Sequence, residues 1–173
     1  IMANACIMLT VLSLVLMVVA YAAKRPLLYA FGASDSTFRY ANEYLGMYMS
    51  GTLFSMLGLG MNAYINAQGF GQTGMISILI GAALNIVLDP VFIFALDMGV
   101  RGAALATVIS QAVSFLWVMH FLFFRATIRL TLKSLRFDFR LARRMLALGT
   151  SNFIMQVTNS AVQAACNSTL SLF

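Results

Sequence analysis

The sequence predicts an all-α integral membrane protein with about five transmembrane helices. Hydrophobic residues make up 61% of its 173 residues and charged residues only 9%, whereas a soluble domain devotes about a quarter of its residues to charge. Five segments are long and apolar enough to cross a bilayer, which takes about 20 residues each. Seven of the 11 basic residues lie within 125–144, a pattern typical of a membrane flank. The composition therefore argues against a soluble domain and against a nucleic-acid-binding protein.

The connections between the segments indicate how the helices run. The five predicted spans are 1–23, 44–68, 74–96, 102–124 and 147–171. A polar connection of 20 residues, 24–43, separates the first two spans. The next two connections are the short glycine-containing turns GFGQTG and DMGVRG. Because short turns force neighbouring helices to run antiparallel, the middle three spans are expected to form a compact up-down-up unit.

The linker at 125–146 is strongly basic and sets the predicted orientation. Apolar residues alternate with its arginines, so we expect it to lie along the lipid headgroups rather than to cross them. Asp138 is positioned to cap a helix that leads into the last span. Basic linkers favour the cytoplasmic side. The turn after residue 68 is then also cytoplasmic, while residues 24–43 and 97–101 face outward.

One acidic residue interrupts the apolar span 74–96. Asp89 is followed directly by Pro90, and an aspartate near a helix centre costs about 2.5–3.5 kcal/mol on insertion. Asp89 must therefore face protein or a water-filled cavity. Pro90 lacks a backbone N–H and is expected to bend the helix and to disturb the turn before it.

Two further polar residues are predicted to lie beside Asp89. Asn85 is one helical turn earlier and therefore on the same face. Thr107 is as far beyond the turn near residue 98 as Asp89 is before it, so it should lie at the same depth on the next helix. A carboxylate, an amide and a hydroxyl together favour a proton or hard-cation site. Alternatively, Asn85 and Thr107 only join helices by hydrogen bonds.

The last predicted span carries a stripe of amide side chains. They recur at spacings of four, three, four and four residues, which places them along one side of a helix. They are Asn152, Gln156, Asn159, Gln163 and Asn167. The stripe either lines a polar cavity for substrate or bonds to neighbouring helices.

The stretch NAQGFGQTGMISILIGAALNIVLDPVFIFALDMGVRGAALATVISQ resembles the multidrug and toxic compound extrusion (MATE) family of cation-coupled efflux transporters. The resemblance covers nearly the whole chain, and its N-x-x-L-D-P and G-x-x-G-A-A-x-A-T motifs are fairly specific. It implies that the five spans match helices three to seven of a twelve-helix, two-lobe transporter. Residues 1–124 would then be part of the N-terminal lobe, 125–146 the cytoplasmic inter-lobe linker and 147–173 the first helix of the C-terminal lobe. The chain is expected to be an interior part of a longer protein.

The resemblance also implies a function and a set of site residues. Such a transporter exports drugs or other organic cations by antiport with H⁺ or Na⁺ and uses no cofactor beyond the coupling ion. The positions that match the family's ion site are Asn62, Asn85, Asp89 and Thr107; the family's first-helix aspartate has no counterpart in this chain. The expected partners are the lipid bilayer of the plasma membrane, drug-like molecules and the remaining helices of the same protein.

Two other functions fit the sequence less well. A flippase for lipid-linked oligosaccharides has a related architecture, but its cavity usually needs arginine or lysine within the spans, and these five spans contain none. An intramembrane enzyme would need a Ser–His pair, an Asp–Asp pair or an HExxH motif. The chain has one histidine and one deeply placed aspartate, so we do not expect an enzyme.

Overall fold

The computed structural model describes residues 1–30, 35–130 and 137–170. Within these ranges every regular element is helical. The α-helices are α1 (Met2–Ala22), α2 (Lys24–Ala30), α3 (Asp35–Ser50), α4 (Thr52–Ala67), α5 (Gly71–Pro90), α6 (Val100–Phe124) and α7 (Phe139–Leu170). One π-helical turn, Val91–Ala95, directly continues α5. The prediction of an all-α membrane protein is confirmed.

Three of the predicted spans are single helices long and apolar enough to cross a membrane. They are Met2–Ala22, Gly71–Ala95 and Gly99–Phe124. Each agrees with its predicted bounds to within about three residues, because turns and charged residues end the helices and the apolar runs at nearly the same positions. Helix α6 is central, packing against α3, α4 and α5, while α1 packs against α3 and α4.

The predicted span 44–68 is not one helix, which corrects the sequence interpretation. Helix α3 ends at Ser50 and α4 begins at Thr52, with a turn at Gly51. A Cβ atom at Gly51 would lie 2.7 Å from Cγ2 of Val108 on α6. The glycine therefore lets this joint approach α6 more closely than a larger residue could. Hydropathy alone does not detect such a joint, because both sides of it are apolar.

Residues 24–43, predicted as a connection, are largely helical. They include all of α2 and the first two turns of α3. Hydropathy did not reveal these helical residues, because several of them are charged. In α3, Arg39 and Glu43 lie one turn apart, and Arg39 Nε is 3.5 Å from Glu43 Oε1. Glu43 also forms an ion pair of 3.1 Å with Arg101 at the start of α6. This pair fixes the polar end of α3 against α6.

The last predicted span forms part of α7, which begins eight residues earlier than expected. Asp138 caps this helix as predicted, because its carboxylate accepts hydrogen bonds from the backbone N–H groups of Arg140 (2.9 Å) and Leu141 (3.3 Å). Helix α7 contacts α1, and every residue from Leu146 to Gln163 is exposed. It is not among the three membrane candidates, because its basic first turns and its amides lower the hydropathy.

The apolar core lies between α1, α4 and α6 at the end of α6 that leads into the linker. Its fully buried side chains include Met61 and Ile65 of α4 and Leu122 of α6. The first part of the linker joins this core instead of lying among headgroups as predicted. Leu130 is 2% exposed, and the backbone N–H of Ile128 donates a 2.8 Å hydrogen bond to Gln68 Oε1. Two of the linker's basic residues, Lys133 and Arg136, lie outside the described residues.

Candidate functional site

The structure brings together three of the four residues predicted to form an ion site. Asn85 Nδ2 on α5 lies 3.3 Å from Asp89 Oδ1 and 3.4 Å from Thr107 Oγ1 on α6, and donates to both. Thr107 in turn donates to the carbonyl oxygen of Ala103 at 2.9 Å. All three side chains are half-buried. Asn85 therefore links Asp89 to Thr107, and the predicted proximity of these three side chains is observed.

The geometry of this cluster suits a proton or a small monovalent cation. The two hydrogen bonds made by Asn85 are longer than the usual 2.7–3.2 Å for protein hydrogen bonds and are therefore weak. A carboxylate, a hydroxyl and an amide oxygen are the donors that hard cations prefer. Among the described residues, no three His, Cys, Asp or Glu side chains are grouped to hold a metal ion. The cluster thus differs from a multi-carboxylate metal centre.

A change in helix type lies immediately beyond Asp89. Helix α5 continues through Pro90 and then becomes π-helical over Val91–Ala95. The backbone N–H of Leu96 donates to the carbonyl oxygen of Val91, five residues earlier, at 3.0 Å. The sequence predicted a disturbance before Pro90, whereas the π-turn comes after it. The helix type changes one residue beyond the aspartate, and π-turns within helices are frequent at functional sites.

The π-turn is in close contact with the first turn of α6. A Cβ atom at Gly102 would lie 2.6 Å from the carbonyl oxygen of Phe92. The backbone N–H of Met98 donates to that same oxygen at 3.1 Å. Glycine is required here because backbone, which cannot rotate aside as a side chain can, occupies the space.

Asn62 lies elsewhere. It is 5% exposed, and its Nδ2 donates to Gly74 O (3.1 Å) and Ser77 Oγ (3.0 Å) on α5. Ser77 precedes Asn85 by eight residues, or about 12 Å along a helix. Asn62 therefore forms a second polar cluster, in which its own Oδ1 is buried without a hydrogen-bond partner among the described residues.

Several polar residues of α6 were not singled out from the sequence. Ser114 Oγ donates to Ser77 O at 2.7 Å, which joins α6 to the second cluster. Gln111 Nε2 donates to Tyr48 OH at 3.4 Å, while its buried Oε1 has no partner in the described part of the chain. Gln111 and Ser114 follow Thr107 by four and seven residues. That helical spacing was the signal that could have identified them.

The amide stripe is separate from both clusters. Gln156, Asn159 and Gln163 are exposed on α7, and within the described residues α7 packs mainly against α1. An open apolar groove of about 1010 Å³ lies between α1, α4 and the first half of α7. The stripe is thus free to face another part of a longer protein.

Comparisons with known proteins agree on one family. The family model MatE matches residues 1–91. The multidrug export protein MepA of Staphylococcus haemolyticus (strain JCSC1435) is 31% identical over 126 residues, which are 72% of this chain and 28% of that protein. MepA of Staphylococcus aureus (strain bovine RF122 / ET3-1) is 26% identical over 147 residues, 84% of this chain and 33% of that protein. The chain spans about a third of the length of these curated relatives.

Solved structures of transporters share the fold. A crystal structure of MATE in the bent conformation superposes with a TM-score of 0.85 at 26% identity, covering 91% of this chain and 36% of that one. An inward-facing multidrug resistance MATE family transporter of the MOP superfamily gives a TM-score of 0.77 at 28% identity, with coverages of 84% and 33%.

Proposed function

Because the chain belongs to the MATE family, whose members are transporters and not enzymes, we propose that the protein containing it is a multidrug exporter. It would move drugs or other organic cations out through the plasma membrane by antiport with H⁺ or Na⁺. The two relatives compared above are multidrug export proteins. The long apolar helices indicate a membrane protein. The antiport and the identity of its ion are part of the proposal.

The observation that carries the coupling proposal is the Asp89 cluster. Asn85 donates to both Asp89 and Thr107 through long hydrogen bonds. A proton or Na⁺ on the carboxylate would compete with Asn85 for the same oxygens and would rearrange these bonds. The cluster bridges α5 and α6, so the rearrangement would alter how these two helices pack.

The π-turn after Pro90 is the place where we expect the change in packing between α5 and α6 to alter the rest of α5. We propose that ion binding at Asp89 alters the bend of α5 at Pro90, reduces the affinity of the substrate cavity and promotes release of the drug to the outside. A ligand shifts such an equilibrium only by its different affinity for the two states. The ion must therefore bind one conformation of the cluster more tightly.

The amide stripe of α7 is proposed to line the substrate cavity. Gln156, Asn159 and Gln163 carry donors and acceptors but no titratable group, and they are exposed on one helix. Uncharged amides can bind varied substrates without competing for the coupling ion. Their proposed role is therefore substrate selection.

The test is drug efflux by the full-length protein with Asp89→Asn. The substitution removes the charge while leaving a side chain of nearly the same shape, and insertion becomes easier without the charge. We expect normal amounts of protein in the membrane and no ion-dependent efflux. Asp97→Asn is the matched control, because Asp97 is exposed in the turn between the π-turn and α6. Wild-type efflux by Asp89→Asn with unchanged dependence on pH and Na⁺ would refute the coupling role.

A further inference from the structure

The first two turns of α7 carry a compact basic face. Arg140, Arg143 and Arg144 follow one another at spacings of three and one residues, which places them on one side of the helix. All three are exposed, whereas Ala142 is buried and Leu141 and Met145 are half-buried. An open surface depression of about 520 Å³ lies beside the arginines and is lined by residues between Asp138 and Arg144.

Among the described residues, no ion pair balances the positive charge of this face. The nearest carboxylate, that of Asp138, is already bonded to the backbone N–H groups of Arg140 and Leu141. The ion pairs found within residues 1–30, 35–130 and 137–170 both involve Glu43, which is near the opposite end of α6. Cations in the first turns of a helix also oppose its dipole. The three guanidinium groups therefore call for an anion from outside the described chain.

A clasp of two hydrogen bonds between α1 and the start of α7 holds this face beside the beginning of the first apolar span. Asn4 Nδ2 donates to Asp138 O, and Asp138 N donates to Asn4 Oδ1, both at 2.9 Å. Asn4 is 2% exposed and lies two residues inside the apolar span Met2–Ala22. The backbone of Asp138 is thereby fixed at the level where the apolar part of α1 begins.

Two aromatic residues lie on either side of Asp138, and their exposure favours a lipid as the ligand. Phe137 and Phe139 are 55% and 74% exposed. In water such exposure would be unfavourable, whereas basic helices that lie in the membrane interface bury phenylalanine side chains at the boundary between headgroups and acyl chains. A guanidinium group presents a planar fork of N–H donors that matches the oxygens of a phosphate.

We propose that Arg140, Arg143 and Arg144 form a binding site for the phosphodiester headgroup of an anionic phospholipid. The phosphate would lie against the guanidinium groups and the acyl chains would pass beside the exposed phenylalanines. Anionic lipids are abundant in the cytoplasmic leaflet, which is the side predicted for this linker. The site is independent of the proposed transport activity.

Native mass spectrometry of the full-length protein tests this site. The protein is mixed in detergent with equal amounts of phosphatidylglycerol and phosphatidylcholine, and the lipids that remain bound after release from the detergent are measured. The wild type should retain phosphatidylglycerol in excess. Arg140→Gln with Arg144→Gln should lower the ratio of the two retained lipids by about 25-fold, since each basic residue near an anionic surface strengthens attraction about fivefold. Millimolar inorganic phosphate should not displace the lipid.

Two controls make each outcome decisive. Arg25→Gln with Arg39→Gln removes the same charge from exposed positions in α2 and α3 and should leave the ratio unchanged. Arg140→Lys with Arg144→Lys keeps the charge and should retain most of the preference, which excludes misfolding as the cause. An unchanged ratio in the Gln pair, an equal loss in both Gln pairs, or displacement by phosphate would overturn the proposal.

Discussion

The hydroxyl of Thr107 makes two hydrogen bonds. A substitution that keeps this hydroxyl but removes the methyl group distinguishes hydrogen bonding from packing. Its hydroxyl accepts from Asn85 and donates to the carbonyl oxygen of Ala103 in its own helix. Because the hydroxyl is fixed by the second bond, its lone pairs are oriented toward α5. Thr107 therefore positions Asn85 and offers an oxygen to an incoming ion.

Thr107→Ala should weaken the apparent affinity for the coupling ion several-fold, since one hydrogen bond contributes about 0.5–1.5 kcal/mol. Thr107→Ser keeps the hydroxyl and should retain near wild-type affinity. The measurement is the concentration of H⁺ or Na⁺ that gives half-maximal drug efflux. Equal effects of the two substitutions would indicate that the methyl group and its packing matter, and not the hydroxyl.

At the scale of the element, the contact between the π-turn and α6 depends on Gly102. A methyl group there would collide with the carbonyl of Phe92, so the π-turn or α6 must shift. We expect Gly102→Ala to lower the free energy of unfolding by about 1–3 kcal/mol, the usual cost of overpacking. Thermal unfolding of the purified full-length protein would measure the loss.

Gly71→Ala is the matched control for that substitution. Gly71 begins α5 and a Cβ atom there would meet nothing within 4 Å. The control should leave stability unchanged or raise it slightly, because alanine favours helix over glycine. If Gly102→Ala is as stable as Gly71→Ala, the packing of the π-turn against α6 is not as described.

Helix α7 offers a separate test of the substrate proposal. Gln156→Ala should change the relative transport rates of different drugs while ion-dependent export of some of them continues. Thr158→Ala is the control, because Thr158 lies on the opposite side of α7 and its hydroxyl already bonds to Ile154 O at 2.9 Å. Uniform loss of all transport together with poor expression would instead support a packing role for the amide.

For the whole molecule, the distribution of basic residues predicts that the linker is cytoplasmic. In a full-length protein whose native cysteines, including Cys6 and Cys166, are all replaced by alanine, Arg129→Cys and Arg39→Cys each place a single thiol at an exposed position, and the two positions are predicted to lie on opposite sides of the membrane. An impermeant thiol reagent added to intact cells should modify position 39 and leave position 129 unmodified. The reverse result would invert the topology.

The sequence predicted those parts of the fold that depend on composition and spacing. Three spans, the cap at Asp138 and the proximity of Asp89, Asn85 and Thr107 follow from hydropathy, helical period and the position of one turn. It missed the joint at Gly51, because the glycine is explained by Val108 on another helix. Asn62 was grouped with Asp89 only by the family resemblance, and in the structure it bonds to Ser77. Contacts of this kind depend on helix rotation, which one sequence does not specify.

If Asp89 carries the coupling ion, as we propose, then replacing it should abolish the movement of that ion by the protein. The full-length protein is reconstituted into liposomes containing a pH-sensitive or Na⁺-sensitive dye, and a drug gradient is imposed. The wild type should drive H⁺ or Na⁺ in the opposite direction to the drug, whereas Asp89→Asn should bind drug but move no ion. Drug-driven ion movement by Asp89→Asn at the wild-type rate would contradict the account.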